Sequence, residues 1–249
     1  MGTYVVSDVH GYLDDLRGVL AQAGLVHEER WVGGPDGEDD LWILGDLVDR
    51  GPDGIGVVRL VRSLQEQAPE HVHMLIGNHE SLMLGEKLFP DSRFGEVWLI
   101  NGGRLSDQEA LSDEDIAWLR GLPAMAVAGG HLLVHSDTTN YLAWGHSVDD
   151  VNATLADRLA GDDPGQHFEV FAALTSRYDY VGERGVETAR GMLETFGARR
   201  IVHGHSIIGT LLDKPSYETE GPLLYADGLV VAIDGGRYDG GPLLLVRIG

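Results

Sequence analysis

Three times in the first 80 residues a short apolar run stops abruptly and gives way to residues able to bind a cation or a phosphate. Tyr4-Val5-Val6 leads into Ser7-Asp8-Val9-His10-Gly11. Trp42-Ile43-Leu44 leads into Gly45-Asp46-Leu47-Val48-Asp49-Arg50-Gly51-Pro52, and Val72 to Ile76 into Gly77-Asn78-His79-Glu80. Apolar runs with so little polar alternation read as strands covered on both faces, as in a parallel sheet. Helical spacing follows each: Leu13, Leu16, Val19 and Leu20 over 12–23, Ile55, Val58, Val61 and Leu64 over 55–67, and a helix beginning at Ser81. Right-handed crossovers bring such strand ends to one edge of a sheet, where open α/β folds bind ligands. Asp8 and His10, two apart in a segment read as extended, are expected to point to one side.

The remainder is less regular. Residues 28–40 are a polar loop, and 85–122 read as a cover over one rim, with Ser112-Asp113-Glu114 capping a short helix. A hairpin turn at Gly129-Gly130 precedes Leu132-Leu133-Val134, which ends at His135-Ser136-Asp137. Helices are expected over 148–159, 168–174 and 186–196. A strand at Arg200-Ile201-Val202 runs into His203-Gly204-His205. The segment 223–248 reads as antiparallel, with a hairpin turn at Asp227-Gly228. We expect one domain over 1–249, of α/β class, with two packed mixed β-sheets flanked by helices.

Composition narrows the function. Eighteen basic against 40 acidic residues give a net charge of -22, a surface that repels nucleic acid. Any phosphate site then needs local cations. The absence of cysteine excludes thiol catalysis, disulfides and zinc–thiolate sites. With no signal-like segment and no apolar run near 18 residues, the expectation is a cytoplasmic protein with no membrane partner.

The polar residues at the strand ends are Asp8, His10, Asp46, Asn78, His79, His135 and His205. Carboxylate, amide and imidazole donors without thiolate suit Mn²⁺, Fe or Zn²⁺ rather than Ca²⁺. Seven groups exceed the needs of one ion but suit two that share a carboxylate, activate a bridging water and clamp a phosphoryl group. Asp46 is the natural bridge, and Arg50 can take phosphate oxygens bidentately.

In order along the chain, Asp8-x-His10-Gly11, Gly45-Asp46-x-x-Asp49-Arg50-Gly51, Gly77-Asn78-His79-Glu80, His135 and Gly204-His205 resemble the signature of the phosphoprotein phosphatase family. That family lies within the calcineurin-like metallophosphoesterases. Trp98 to Gly103, Arg177-Tyr178 and Ile201-Val202-x-Gly204-His205 resemble bacterial, Shewanella-like members. The resemblance implies an αββα sandwich and two divalent ions, with Mn²⁺ favoured. Asp8, His10 and Asp46 would hold the first ion; Asp46, Asn78, His135 and His205 would hold the second. His79 would be the general acid, steadied by Asp49, whose carboxylate is expected to raise the imidazole's pKa, and Arg50, Arg177 and Asn78 would bind the phosphate. The implied activity is hydrolysis of phosphoserine or phosphothreonine in proteins by in-line attack of a metal-bridging hydroxide. The alternative is a nucleoside polyphosphate hydrolase resembling the symmetrical diadenosine tetraphosphatases, which an aromatic clamp for adenine in 85–122 or 138–180 would favour. Three positions stay open. Arg184 competes with Arg177, though Arg177 fits the bacterial pattern better. Asp137 stands where the family has glycine, and either faces solvent or alters substrate choice. His203 could share a side with His205, but is expected to be structural.

Overall fold

The computed structural model describes residues 2–35 and 37–248. Its strands are β1 (Thr3–Val6), β2 (Val26–His27), β3 (Arg30–Trp31), β4 (Asp40–Ile43), β5 (Val72–Met74), β6 (Met125–Ala128), β7 (His131–Val134), β8 (Arg200–His203), β9 (Leu223–Tyr225), β10 (Val230–Ala232) and β11 (Leu245–Ile248). Its helices are α1 (Leu13–Gln22), α2 (Gly54–Gln67), α3 (Asn78–Leu88), α4 (Phe94–Ile100), α5 (Leu105–Ala110), α6 (Asp113–Arg120), α7 (Val148–Ala160), α8 (Pro164–Thr175), α9 (Gly185–Phe196) and α10 (Ile208–Leu211).

Two main sheets result. The first has the order β11-β1-β4-β5 and the second β6-β7-β8-β10-β9. In the first, β1, β4 and β5 run parallel and β11 closes the edge antiparallel to β1. In the second, β7, β8 and β10 run parallel between the antiparallel edges β6 and β9. Strand alternation splits the apolar residues between two layers. Val5, Leu44, Leu75, Leu133, Val202 and Val231 form a cluster drawn from both sheets, whereas Val6, Ile43, Leu132 and Ile201 join the larger cluster that includes the helices. This is the mixed α/β arrangement of two sheets flanked by helices that the sequence pattern predicts.

The structure departs from the sequence reading at three places. The segment 223–248 is not an antiparallel unit. Only β9 and β10 form the Asp227-Gly228 hairpin, while β10 pairs parallel with β8 and β11 crosses to the other sheet. Helix α3 begins at Asn78, not Ser81, with Gly77 as its N-cap, so Asn78 and His79 occupy a helical first turn. Segment 85–122 contains three short helices, α4 to α6. The capping box of α6 forms as expected, with Ser112 accepting from the Asp115 amide.

Candidate active site

Each parallel strand of both sheets delivers a polar residue at its carboxyl end. Asp8 and His10 follow β1, Asp46 to Arg50 follow β4, and Asn78 to Glu80 follow β5. From the second sheet come His135 after β7, His205 after β8 and Asp234 after β10. All of these except Arg50 are buried. Hydrogen bonding between the loops continues where the strands stop. Asp8 and His10 donate their amides to the carbonyls of Gly45 (3.1 Å) and Asp46 (2.9 Å), and Gly204 donates to His135 (2.9 Å).

Close approach explains the glycines between these residues. A Cβ on Gly45 (φ +94°) would lie 2.5 Å from the Gly77 nitrogen and 2.9 Å from His135 Nδ1, and one on Gly204 would lie 2.2 Å from Asp8 Oδ2. Asp8, His10, Asp46, Asp49, Arg50 and His205 all have positive φ, between 45° and 66°. Asp8 and His10 therefore do not converge through extended alternation, as the sequence suggested. Left-handed turns aim them, at about 1–2 kcal/mol each for a non-glycine residue.

Asp46 sits at the centre. Its Oδ2 lies 3.6 Å from His10 Nε2 and its Oδ1 3.5 Å from His135 Nε2, so each oxygen faces a histidine from a different sheet. His10, Asp46 and His79 bring ligand atoms within 4.8 Å of one another, as do Asp46, His135 and His205. Asp8 stands beside the clusters, its Oδ2 accepting from the Ser7 hydroxyl and from the His205 amide at 2.8 Å.

The chemistry of these donors fits divalent cations. His10 Nδ1 donates to the Val48 carbonyl (2.9 Å), His135 Nδ1 to Leu44 (2.7 Å) and His205 Nε2 to Thr175 (2.9 Å). In each ring the other nitrogen is left with its lone pair, since burial holds all three imidazoles below their ordinary pKa. His135 Nε2 and Asn78 Oδ1, both acceptors in this state, face each other at 2.9 Å, a pairing that a shared cation satisfies. Burial raises Asp46 and Asp234 well above the carboxylate range, and Asp8 adds to both. A divalent cation relieves that crowding.

His79 lies within reach of the first cluster, but both its nitrogens are engaged. Nδ1 donates to Asp49 Oδ2 (2.8 Å), and Nε2 receives Arg50 Nη2 (3.1 Å). The other Asp49 oxygen accepts from Trp98 Nε1 (2.9 Å). The sequence led us to expect that Asp49 would raise the His79 pKa. Burial, and next Arg50, instead hold it well below its ordinary value, while burial pushes Asp49 up to about 7.

Arg50 is held by Gly102, which accepts its amide at 2.9 Å, and stacks on Tyr238 at 3.8 Å. Arg177 is exposed, yet its charge lowers the pKa of His79, His135 and His205. Arg184 lines a different depression with Tyr178, Asp179 and Thr188. His203 turns away from His205, donating to its neighbour Gly204 (2.8 Å) and accepting from Tyr225 (2.8 Å). Asp137 faces neither solvent nor an anion site: it is fully buried.

Two members were given no role in the sequence reading. Glu80 accepts the amides of Asp46 (2.8 Å), Leu47 (2.6 Å) and Gly77 (2.8 Å), tying the β4 and β5 ends together. Asp234 follows an apolar strand and precedes Gly235-Gly236, the same punctuation that flagged the first three strand ends.

Residues 1–209 match the family model described as calcineurin-like phosphoesterase. Over 132 residues the chain is 37% identical to the symmetrical bis(5'-nucleosyl)-tetraphosphatase of Pectobacterium atrosepticum, covering 51% of this chain and 39% of that protein. The chain thus spans well under half the length of the curated relatives it matches. Among solved structures, the cold-active protein-tyrosine phosphatase of a psychrophilic Shewanella species superposes with a TM-score of 0.72 at 23% identity, over 99% of this chain and 74% of that one. A protein serine/threonine phosphatase from Saccharomyces cerevisiae superposes with a TM-score of 0.63 at 18% identity, over 94% and 67%. These two share the fold.

Proposed function

The chain belongs to the calcineurin-like phosphoesterase family, whose members are dinuclear metal-dependent hydrolases, and on that premise we propose that it hydrolyses phosphomonoesters on serine or threonine of proteins. The observation that carries the reading is the carboxylate of Asp46, one oxygen toward each sheet's histidine, with Arg50 and the His79–Asp49 pair beside it. His10, Asp46 and Asp8 would hold one ion, and Asp46, Asn78, His135 and His205 the other; Mn²⁺ suits this set, with Fe or Zn²⁺ as substitutes. When bound, the ions would supply an activated water and neutralise phosphoryl charge.

The chain's own groups do the rest. Arg50 donates Nη1 to His10 Nε2 and Nη2 to His79 Nε2, and these donors would turn to a phosphate arriving between the two rings. Arg177 and Asn78 bind the remaining oxygens. Asp49, fixed by Trp98, keeps His79 Nδ1 protonated and leaves Nε2 to face the substrate. Burial and then Arg50 depress the His79 pKa, and an arriving phosphate dianion offsets the Arg50 part. The imidazole then takes up a proton from solvent at Nε2 and passes it to the leaving oxygen.

A protein substrate is supported by the open rim, where Ile100 is 78% and Leu99 55% exposed beside the Arg50 loop. The identity to a diadenosine tetraphosphatase-named relative favours a second reading, a nucleoside polyphosphate substrate. Against it, Tyr178 is the one exposed aromatic in 85–122 and 138–180 among the described residues, which leaves an adenine ring without a sandwich partner there. Turnover of p-nitrophenyl phosphate with and without Mn²⁺ tests the phosphoesterase reading, and inactivity with every divalent ion ends it. Faster turnover of diadenosine tetraphosphate than of phosphopeptides would reverse the order of the two substrates.

A further inference from the structure

The segment that carries Arg177 is suspended between two anchors, and both lead back to one dipeptide, His205-Ser206. Upstream of Arg177, the Thr175 carbonyl accepts the His205 imidazole at 2.9 Å. Downstream, the Tyr178 amide donates to Asp137 Oδ2 at 2.9 Å, and Asp137 Oδ1 accepts the Ser206 hydroxyl. The Asp137 carbonyl also accepts the Asp179 amide at 3.0 Å.

The clasp is reciprocal. Asp179 Oδ2 accepts the Thr139 amide (2.7 Å), the Thr139 hydroxyl (2.8 Å) and the Thr138 hydroxyl (3.1 Å). Tyr180 donates its hydroxyl to the Thr138 carbonyl at 3.1 Å. Two carboxylates, one from each segment, thus lace 137–139 to 178–180. Tyr178 has φ +73°, a conformation a bulky residue keeps only where its surroundings impose it. Residues 177–179 are otherwise exposed, and an exposed loop without such ties is mobile.

We propose that Asp137 is a positioning residue for Arg177: by gripping the Tyr178 amide against Ser206 it pre-sets the arginine on a segment whose other end His205 holds through the Thr175 carbonyl. The proposal rests on the phosphoesterase reading for what Arg177 binds. It adds that the order of the arginine loop is supplied by a buried carboxylate two residues beyond His135. A loop ordered before the anion arrives forfeits less conformational entropy on binding.

Asp137→Asn keeps the side chain's size and removes an anionic acceptor. We expect KM for p-nitrophenyl phosphate and the Ki of inorganic phosphate to rise about tenfold, kcat to change less than about threefold, and bound metal to stay constant. In an Arg177→Ala background the same substitution should move Ki by less than about twofold. A full tenfold rise there overturns the proposal, as does loss of metal, which would route the effect through Ser206 and His205. Amide exchange gives a readout apart from activity: protection of Tyr178 and Asp179 should drop by about tenfold or more in Asp137→Asn, and unchanged protection overturns the proposal. Asp179→Asn loosens the reciprocal half without touching Ser206. It should shift Ki and exchange in the same direction by a smaller factor, and no shift in either counts against the clasp should Asp137→Asn fail to fold. A wild-type protein inactive on all phosphoesters would sink the phosphoesterase reading, while the exchange result would still decide the clasp.

Discussion

From the first sheet the site receives Asp8, His10, Asp46, Asp49, Arg50, Asn78, His79 and Glu80; from the second it receives His135, His205 and Asp234, with Asp137 behind them. Both sheets have the same plan, three parallel strands whose carboxyl ends meet, yet the first supplies most of the charge and the candidate proton donor. The second supplies imidazoles with bare nitrogens and the struts that hold a distant arginine. One half is furnished for reaction and the other for placement, and substitutions on the two sides should fail in different ways.

Asp46→Asn tests the largest difference, because Asp46 is the one group that faces both halves. Bound metal should fall and turnover with it by several kcal/mol of barrier, on the order of 10⁴-fold; metal analysis alongside kcat decides it. His79→Asn should leave metal in place and slow alkyl phosphates by about 10³-fold but aryl phosphates by only about tenfold, since a good leaving group needs no proton. Equal losses on both substrates would remove His79 from the acid role. Asp49→Asn, one step further from the substrate, should lower kcat by about 10–100-fold with metal retained.

Stability separates the layers rather than the halves. Leu133→Ala, between the sheets, should cost about 2–5 kcal/mol in denaturant unfolding, against less than about 0.5 kcal/mol for the part-exposed Val127 of the neighbouring strand. The last expected effect is a pH slope. Burial pushes Asp49 and Glu80 up to about 7 from 3.8 and 4.5. Between those limits the folded, metal-free protein holds protons that the unfolded chain has lost. Stability should therefore be highest below about pH 4 to 5 as far as these groups decide it, and decline as pH rises to 7. Thermal melts of chelator-treated protein read the slope; a rise in stability with pH over that window contradicts it.

The first sheet was legible in the sequence because each of its βα units is local. An apolar run, a turn and a helix within 25 or so residues carry their own pattern, and Asp46, Asn78 and His79 could be read off the breaks. The second sheet was not legible in the same way. Its parallel neighbours β8 and β10 are separated in sequence by the hairpin strand β9, and the strong Asp227-Gly228 turn signal advertised an antiparallel neighbour while the parallel one lay out of sequence view. Asp234 was missed for that reason. Asp137 was misjudged because its partners, Tyr178 and Ser206, lie 41 and 69 residues away, and no local pattern encodes such a contact. The pKa of His79 was misjudged because burial and Arg50 act through space, whereas its carboxylate neighbour was visible in the motif.

The antiparallel partner of β1 is β11, with Thr3 opposite Ile248 and Val6 opposite Leu245. β1 therefore waits for β11. During synthesis the loop bearing Asp8 and His10 is made long before β11, and one flank of its strand stays unpaired until residues 245–248 emerge. An unpaired strand flank is the feature of a nascent chain most open to pairing with a neighbour, and closing so long a loop slows folding. Assembly of the reactive half is thus timed by a strand that carries none of its chemistry.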